Sequence, residues 1–365
     1  MPDVLTRDHL NRALLARQHL LERRPGPAVE VVDHLVGLQA QNAWSPYVGL
    51  WSRVCDFRTD ELADGFWDRT VARIVVMRST IHLVTAQDCL AVRPVVQPVL
   101  DRGADGVYAP MLAGVDRAEV VGYARDLVEE RPREVGELAR LLTDRWGGDR
   151  NALINLVRAV LPLVQVPPRG VWGAKGRAVV TTATAWLGRP LGTDRSPDRL
   201  VLRYLGAFGP ASVADVQKWS GLDRLREVVD RLRPGLVTFR DPDGVELFDL
   251  PDAPRPEPDT PAPVRFLPEF DNLLIGYADA RRVMAPEHKP ALFTINGIIR
   301  SAVLVNGVAA ASWKVTKTRR AAACEVRPFG RLTARVRTAI EKEGVRLLEF
   351  AAAGADTREV RILDS

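Results

Sequence analysis

Few residues in this 365-residue chain stand in a spacing that does chemistry unaided. The histidines His9, His19, His34, His82 and His288 are scattered, and so are Cys55, Cys89 and Cys324. There is no HExxH, no HxE followed by PCxxC, no Walker loop and no GxGxxG, so neither a metal nor a nucleotide or flavin cofactor is expected. The cysteines form no CxxC and no even-numbered framework, which fits a reducing cytoplasm. What stands out is charge. Between Glu287 and Glu325 no acid occurs, whereas Lys289, Arg300, Lys314, Lys317, Arg319 and Arg320 supply six positive charges. The chain's net charge is +5, so the remainder sums to −1. Such a stripe is the electrostatic footprint expected for an anionic polymer such as nucleic acid. A solvated basic face has the same composition. From Lys314 to Arg320, Val and Thr alternate with cations, as in a hairpin arm presenting charge to a phosphate backbone. An edge strand guarded against aggregation carries the same pattern.

The elements that must carry these residues repeat. Hydrophobic residues make up 46% and charged residues 27%, as in ordinary globular proteins. No apolar run is long enough for a membrane helix, and the N-terminus lacks a signal pattern, so a cytoplasmic protein is expected. Two helices are expected before residue 38, the first capped by Thr6, and a third over 59–69 capped by Thr59. The β-rich runs 72–77 and 81–85 follow. Helices then a hairpin recur over 120–181 and again over 199–248, the last hairpin turning at Asp243-Gly244. This is the order of a winged helix-turn-helix, and repetition implies an array. The Pro-rich stretch 251–263 reads as a connector. Beyond it, strands are expected at 291–295, 302–305, 309–315, 322–326 and 346–350, turning at Asn296-Gly297 and Asn306-Gly307, with one helix over 331–343. The expected architecture is α+β: winged helices over 1–115, 116–194 and 195–250, and a C-terminal β-rich domain with the basic hairpin over 264–365.

The stretch His34-Leu35-Val36-Gly37-Leu38-Gln39-Ala40-Gln41-Asn42-Ala43-Trp44-Ser45-Pro46 resembles the Gln-apolar-Gln motif of AlkZ/YcaQ-type winged-helix DNA glycosylases. Three further stretches are similar to the same family: 77–84 (MRSTIHLV), 266–274 (FLPEFDNLL) and 305–307 leading to Ser312-Trp313-Lys314. The likeness runs in order along essentially the whole chain. It implies three winged helices and an enzyme acting on duplex DNA that contains alkylated purines, without metal or membrane, and a monomer is expected. No lysine lies in the motif, so no Schiff-base lyase step is expected and the enzyme should be monofunctional, and the triplicated units with the basic hairpin fit a C-shaped arrangement around an open cleft. The likeness also implies excision of N7-alkylguanine; the all-Gln form, with Gln41 where the other subgroup has Asp, is associated with bulky adducts and interstrand crosslinks from natural products, hence antibiotic self-resistance.

On this reading Gln39 and Gln41 are catalytic. An amide does not titrate near neutrality and is no general base. N7-alkylation makes the purine a cation that departs neutral, so no protonation is needed. An amide oxygen then suffices to hold a water and face the developing oxocarbenium charge. Two residues apart share a side only if the chain is extended there, and Ser45-Pro46 fits an exit from helix. Asn42, Trp44 and His82 are candidate pocket residues; a strand histidine satisfied by backbone and a core tryptophan are the plainer readings. Lys314, Lys317, Arg319, Arg320 and Arg78 are expected on DNA, with Arg73 beside Arg78. Glu269 and Asp271 are read as structural, paired with amides or an arginine such as Arg281. The competing readings are a non-catalytic multi-winged-helix DNA binder, such as a regulator, and a protein-interaction scaffold.

Overall fold

The computed structural model describes residues 3–106 and 108–364. Helix α1 (Arg7–Arg17) starts at Thr6, whose hydroxyl accepts from the His9 N–H in a capping box. A group of elements then occurs, and recurs twice: helix, short strand, two helices, hairpin. First come α2 (Ala28–His34), β1 (Leu38–Gln39), α3 (Ser45–Trp51), α4 (Thr59–Trp67), β2 (Val71–Val75) and β3 (Ile81–Thr85). After α5 (Ala86–Val95) and α6 (Gln97–Asp105) come α7 (Arg117–Glu130), β4 (Arg133–Glu134), α8 (Val135–Trp146), α9 (Arg150–Val160), β5 (Leu163–Gln165) and β6 (Val179–Thr182). After α10 (Ala183–Leu187), the third group has α11 (Asp198–Phe208), a bridge at Ala211 in place of the short strand, α12 (Val213–Ser220), α13 (Leu225–Leu232), β7 (Val237–Arg240) and β8 (Glu246–Asp249).

The first two groups share a six-stranded sheet, ordered β1-β3-β2-β5-β6-β4, because β2 pairs with β5 at Arg73↔Gln165. Residues of α7, α8 and α9 enclose a core of their own. A second, larger core runs through the first and third groups into the C-terminal region. Helix α1 ties these parts together. Arg17 makes a buried two-bond pair with Asp249 at the end of β8, at 2.7 and 2.8 Å. Asn11 Nδ2 donates to the carbonyls of Arg282 and Gly307. Segment 251–263 has no regular structure but lies along this helix, with Arg12 Nε donating to the Thr260 carbonyl and Arg17 Nε to that of Pro254.

The C-terminal region contains β9 (Arg265–Leu267), α14 (Asn272–Ile275), α15 (Lys289–Leu292), β10 (Ala302–Val305), β11 (Val308–Lys317), β12 (Ala321–Pro328), α16 (Ala334–Ala351) and β13 (Thr357–Ile362). Its sheet is ordered β13-β12-β11-β10-β9, so the basic strand β11 is interior; it outruns β10 beyond Ser312 but stays paired with β12 to Lys317. Two expected strands are corrected. Residues 291–295 are the end of α15, entered by Pro290 in its first turn, and a turn closed by one bridge, Phe293↔Ile299. Residues 346–350 are the last turns of α16, where Ile340, Leu347 and Leu348 bury one helical stripe. A short apolar run does not separate strand from buried helix by periodicity. Among the described residues, no helix is long and apolar enough to cross a membrane.

Candidate active site

Between α2 and β1 the chain reverses through Val36 (φ 55) and Gly37 (φ 96). A Cβ on Gly37 would lie 2.7 Å from the Leu83 carbonyl oxygen, so glycine is required for β1 to reach β3. Gln39 then sits opposite His82. The Ala40 N–H donates to the Ile81 carbonyl at 2.7 Å, and the Ala40 carbonyl accepts from Arg73 Nη2 at 2.6 Å. The peptide between the glutamines is pinned from both sides. Arg73 is buried for this purpose, with burial pulling its pKa down to about 10, and it reaches no surface where a phosphate would lie. Pro46 does not mark an exit from a helix; it stands in the first turn of α3, and only Leu38 and Gln39 are extended strand, followed by a bend and a turn over 41–44. Gln39 is nearly buried and Gln41 exposed, and both side chains line a cleft of about 560 Å³.

The cleft floor is organised by Arg78, in the turn between β2 and β3 with φ 55. Its Nη2 donates to Gln39 Oε1 at 2.8 Å, with longer contacts of 3.3 Å to His82 Nε2 and 3.4 Å to Asn272 Oδ1. Its Nη1 donates to the Trp219 carbonyl at the end of α12. A guanidinium only donates, so the oxygen of Gln39 is the atom turned to Arg78. The NH2 of Gln39 has no partner among the described residues. His82 Nδ1 lies 3.0 Å from the Thr80 carbonyl and must donate to it, leaving Nε2 as acceptor for Arg78. Burial, and then the Arg78 charge, pull the His82 pKa down to about 3, so the ring is neutral. Burial lowers Arg78 to about 10, which leaves it charged at neutral pH. Gly221 (φ 81) closes over this turn; a Cβ there would sit 3.2 Å from the Arg78 backbone. Arg78, expected on DNA, is thus directed at internal acceptors.

Three parts of the chain wall the cleft. Beside the glutamines stand Lys218 from α12 and a C-terminal wall that includes Ile275, Lys289, Phe293 and Ile298. Lys218 and Lys289 are exposed and pair with no carboxylate among the described residues. Asp279, the acid lining the cleft, is held by Arg281 Nε at 2.7 and 2.9 Å. On its other side Gln41 borders a second cavity, about 300 Å³, reached by Asn155 and Arg158 of α9. Gln41 therefore stands on the ridge between two hollows.

Other expected site residues fall elsewhere. Asn42 and Trp44 line a separate groove with Trp172, Glu269, Lys314 and Lys317. There Asn42 Nδ2 donates to Glu269 Oε2 at 3.0 Å. Trp44 is 41% exposed, its ring 4.7 Å from that of Trp172, so it is not a core residue. His82 is fully buried, behind the cleft rather than in it. Lys314 pairs with Glu325 at 2.9 Å. Lys317 donates to the Ala351 carbonyl at the end of α16 and lies 5.4 and 5.7 Å over Trp44 and Trp172. Arg319 and Arg320 are exposed in the turn between β11 and β12, without side-chain partners among the described residues. Asp271 caps α14 and makes a buried two-bond pair with Arg53, at 2.8 and 2.9 Å, in place of the expected Arg281. Sequence reasoning missed Lys218, Arg158 and Asn272; only the last had a signal, its place directly after Asp271. Among the described residues, no three His, Cys, Asp or Glu side chains converge as a metal would need.

A family model described as "DNA glycosylase AlkZ-like" matches residues 32–350. A curated relative from Streptomyces sahachiroi, described as an interstrand DNA cross-link repair glycosylase, is 26% identical over 96% of this chain and 97% of its own length. The solved structure of Streptomyces sahachiroi DNA glycosylase AlkZ superimposes with a TM-score of 0.76 at 21% identity, covering 99% of this chain and 100% of that one.

Proposed function

The chain belongs to the AlkZ-like DNA glycosylase family, and on that premise we propose that it hydrolyses the N-glycosidic bond of N7-alkylated purines in duplex DNA. The recurring element groups are read as three winged helices. They present the two glutamines from an open cleft, in a C-shaped protein that works as a cytoplasmic monomer. The observation that carries the chemistry is that Gln39 and Gln41 face one cleft whose acid, Asp279, is already held by Arg281. A site without a free carboxylate suits a leaving group that needs no protonation. The C1′–N9 bond breaks with its electron pair passing to the cationic purine, which leaves neutral. Water then adds to C1′, and its proton passes to solvent.

The two amides divide the work. Gln41 is exposed and its amide has no partner among the described residues, so its oxygen holds the water and turns its dipole to the oxocarbenium. The Gln39 oxygen is engaged by Arg78, so its NH2 donates to the lesion nucleotide. Lys218 and Lys289 on the rim, and Arg319 and Arg320 on the hairpin, meet phosphates. A base tied to both strands cannot swing freely into a closed pocket, and a cleft that continues past Gln41 towards α9 suits bulky adducts and interstrand crosslinks. Resistance to a self-made alkylating product is the role such a substrate range would serve. The test is excision from a duplex containing N7-methylguanine, or a bulky N7 adduct, with abasic sites revealed by alkali. The wild type cleaves, and the Gln39→Ala/Gln41→Ala double variant loses excision while still binding DNA. Wild-type excision by the double variant would falsify this mechanism. Failure of the native protein on both lesions would leave a DNA binder without catalysis.

A further inference from the structure

The hollow on the far side of Gln41 is built as a pocket, yet breaking the glycosidic bond needs nothing from it. Its volume is about 300 Å³, and Val75 and Ile81 from the first hairpin and Leu100 from α6 give it apolar walls. Arg158 of α9, half-buried, is the one charged side chain lining it among the described residues. Its guanidinium has no hydrogen-bond or ion-pair partner among those residues. Burial lowers its pKa and no acid restores it. An unpaired guanidinium beside apolar walls is unfavourable until a ligand supplies acceptors. A second feature keeps the space open. Gly103 lines the hollow from inside α6, where glycine weakens a helix relative to alanine. A Cβ there would meet only Ser79 Oγ, at 3.9 Å, an ordinary contact. Packing therefore does not require the glycine, and what its missing side chain leaves is room beside Gln41.

An apolar chamber with one unpaired cationic donor fits a flat group that carries a hydrogen-bond acceptor. A phosphodiester is met at exposed positions along the duplex rather than between apolar walls. We propose that this hollow is a subsite for the non-nucleobase part of an N7 adduct, with Arg158 donating to an acceptor oxygen on it, an inference that rests on the glycosylase reading above and names what that site selects. Gln41 stands on the ridge between the two hollows. The reacting C1′ stays in the cleft, and the substituent on N7 passes across the ridge. Gly103 admits its bulk, and Arg158 reads its acceptor.

The experiment uses the full-length protein and three duplexes that carry N7-methylguanine, N7-phenethylguanine or N7-phenacylguanine at one position. The two bulky lesions match in size and differ by one ketone oxygen. Excision is read as kcat/KM after subtracting spontaneous loss. Arg158→Met should lower the phenacyl-to-phenethyl ratio about tenfold, and Arg158→Lys should recover part of it. Gly103→Leu should lower both bulky lesions about tenfold relative to N7-methylguanine, because the side chain fills the hollow. Leucine favours helix, so this variant folds, and thermal unfolding checks both variants. An unchanged phenacyl-to-phenethyl ratio in Arg158→Met overturns the subsite; a salt slope lower by about 0.9 beside it would mark a phosphate contact. Equal loss on all three lesions in Gly103→Leu overturns it as well. If the wild type removes N7-methylguanine but neither bulky lesion, the subsite alone fails. If it removes none of the three, the glycosylase reading fails and the subsite with it.

Discussion

Arg78 lies behind Gln39, and its replacement separates positioning from DNA contact. Of its contacts, the 2.8 Å bond to Gln39 Oε1 has the geometry of a strong charge-assisted bond, while those at 3.3 and 3.4 Å are long. Such a bond is worth about 1.5–3 kcal/mol. Without it the Gln39 amide is free to rotate, and a displacement on the order of 1 Å costs roughly a hundredfold in rate. Arg78→Met should therefore slow single-turnover excision about 10- to 100-fold, and Arg78→Lys should recover part of this, a point charge lacking the fork. The decisive measurement is a double-mutant cycle. If Arg78 acts through Gln39, Arg78→Met/Gln39→Ala excises within about twofold of Gln39→Ala alone. DNA affinity and its salt dependence stay as in the wild type. Additive losses, or a salt slope lower by about 0.9, would show a phosphate contact instead. Thermal unfolding accompanies the cycle, because the variant also leaves the Trp219 carbonyl without its donor.

Two further outcomes follow from charge placement. Replacing Arg319 and Arg320 with Ala should lower the slope of log affinity against log salt by about 1.8 and weaken all duplexes alike, measured by fluorescence anisotropy; an unchanged slope would make that turn mere surface. His82 titrates near 6.5 when unfolded but only at about 3 when native, so the unfolded chain binds the extra proton between those values. Its share of stability is complete above 6.5 and is lost as pH falls, by up to about 1.4 kcal/mol per unit. His82→Gln should flatten urea-unfolding stability between about pH 6 and 4.5, although His19, pulled to about 4 chiefly by burial, keeps its own share; a wild-type slope in the variant would refute the neutral, buried assignment.

Much of this was legible where local rules govern. Asn306-Gly307 turns with φ 49 and 83, and Ser212 and Thr6 cap their helices, because turn and cap chemistry depend on a few adjacent residues. The glutamines came from resemblance, since two amides two residues apart carry no signal of their own. What made them a site was invisible. The contact of Arg78 with Gln39 depends on the register that sets Gln39 against His82, and Lys218 arrives from a helix some 180 residues later. The expected pocket failed at Asn42 and Trp44 for the same reason. Beyond Gln41 the chain turns towards β11, and the next two candidates serve a different groove. Lys317 counted as a free cation by composition, yet two tryptophans and a helix end hold it.

Helix α1 belongs to none of the recurring groups, yet it bonds to Asp249 at the end of the third hairpin, to the connector at Pro254 and Thr260, and to Gly307 in the C-terminal region. The two walls that face each other across the glutamines, one carrying Lys218 and the other Ile298, hang from those same parts. The helix thus acts as a gauge block that sets the aperture. On the proposed function, the size of lesion admitted would follow from a dimension fixed at the back of the molecule, through Asn11, Arg12 and Arg17, none of which lines the cleft.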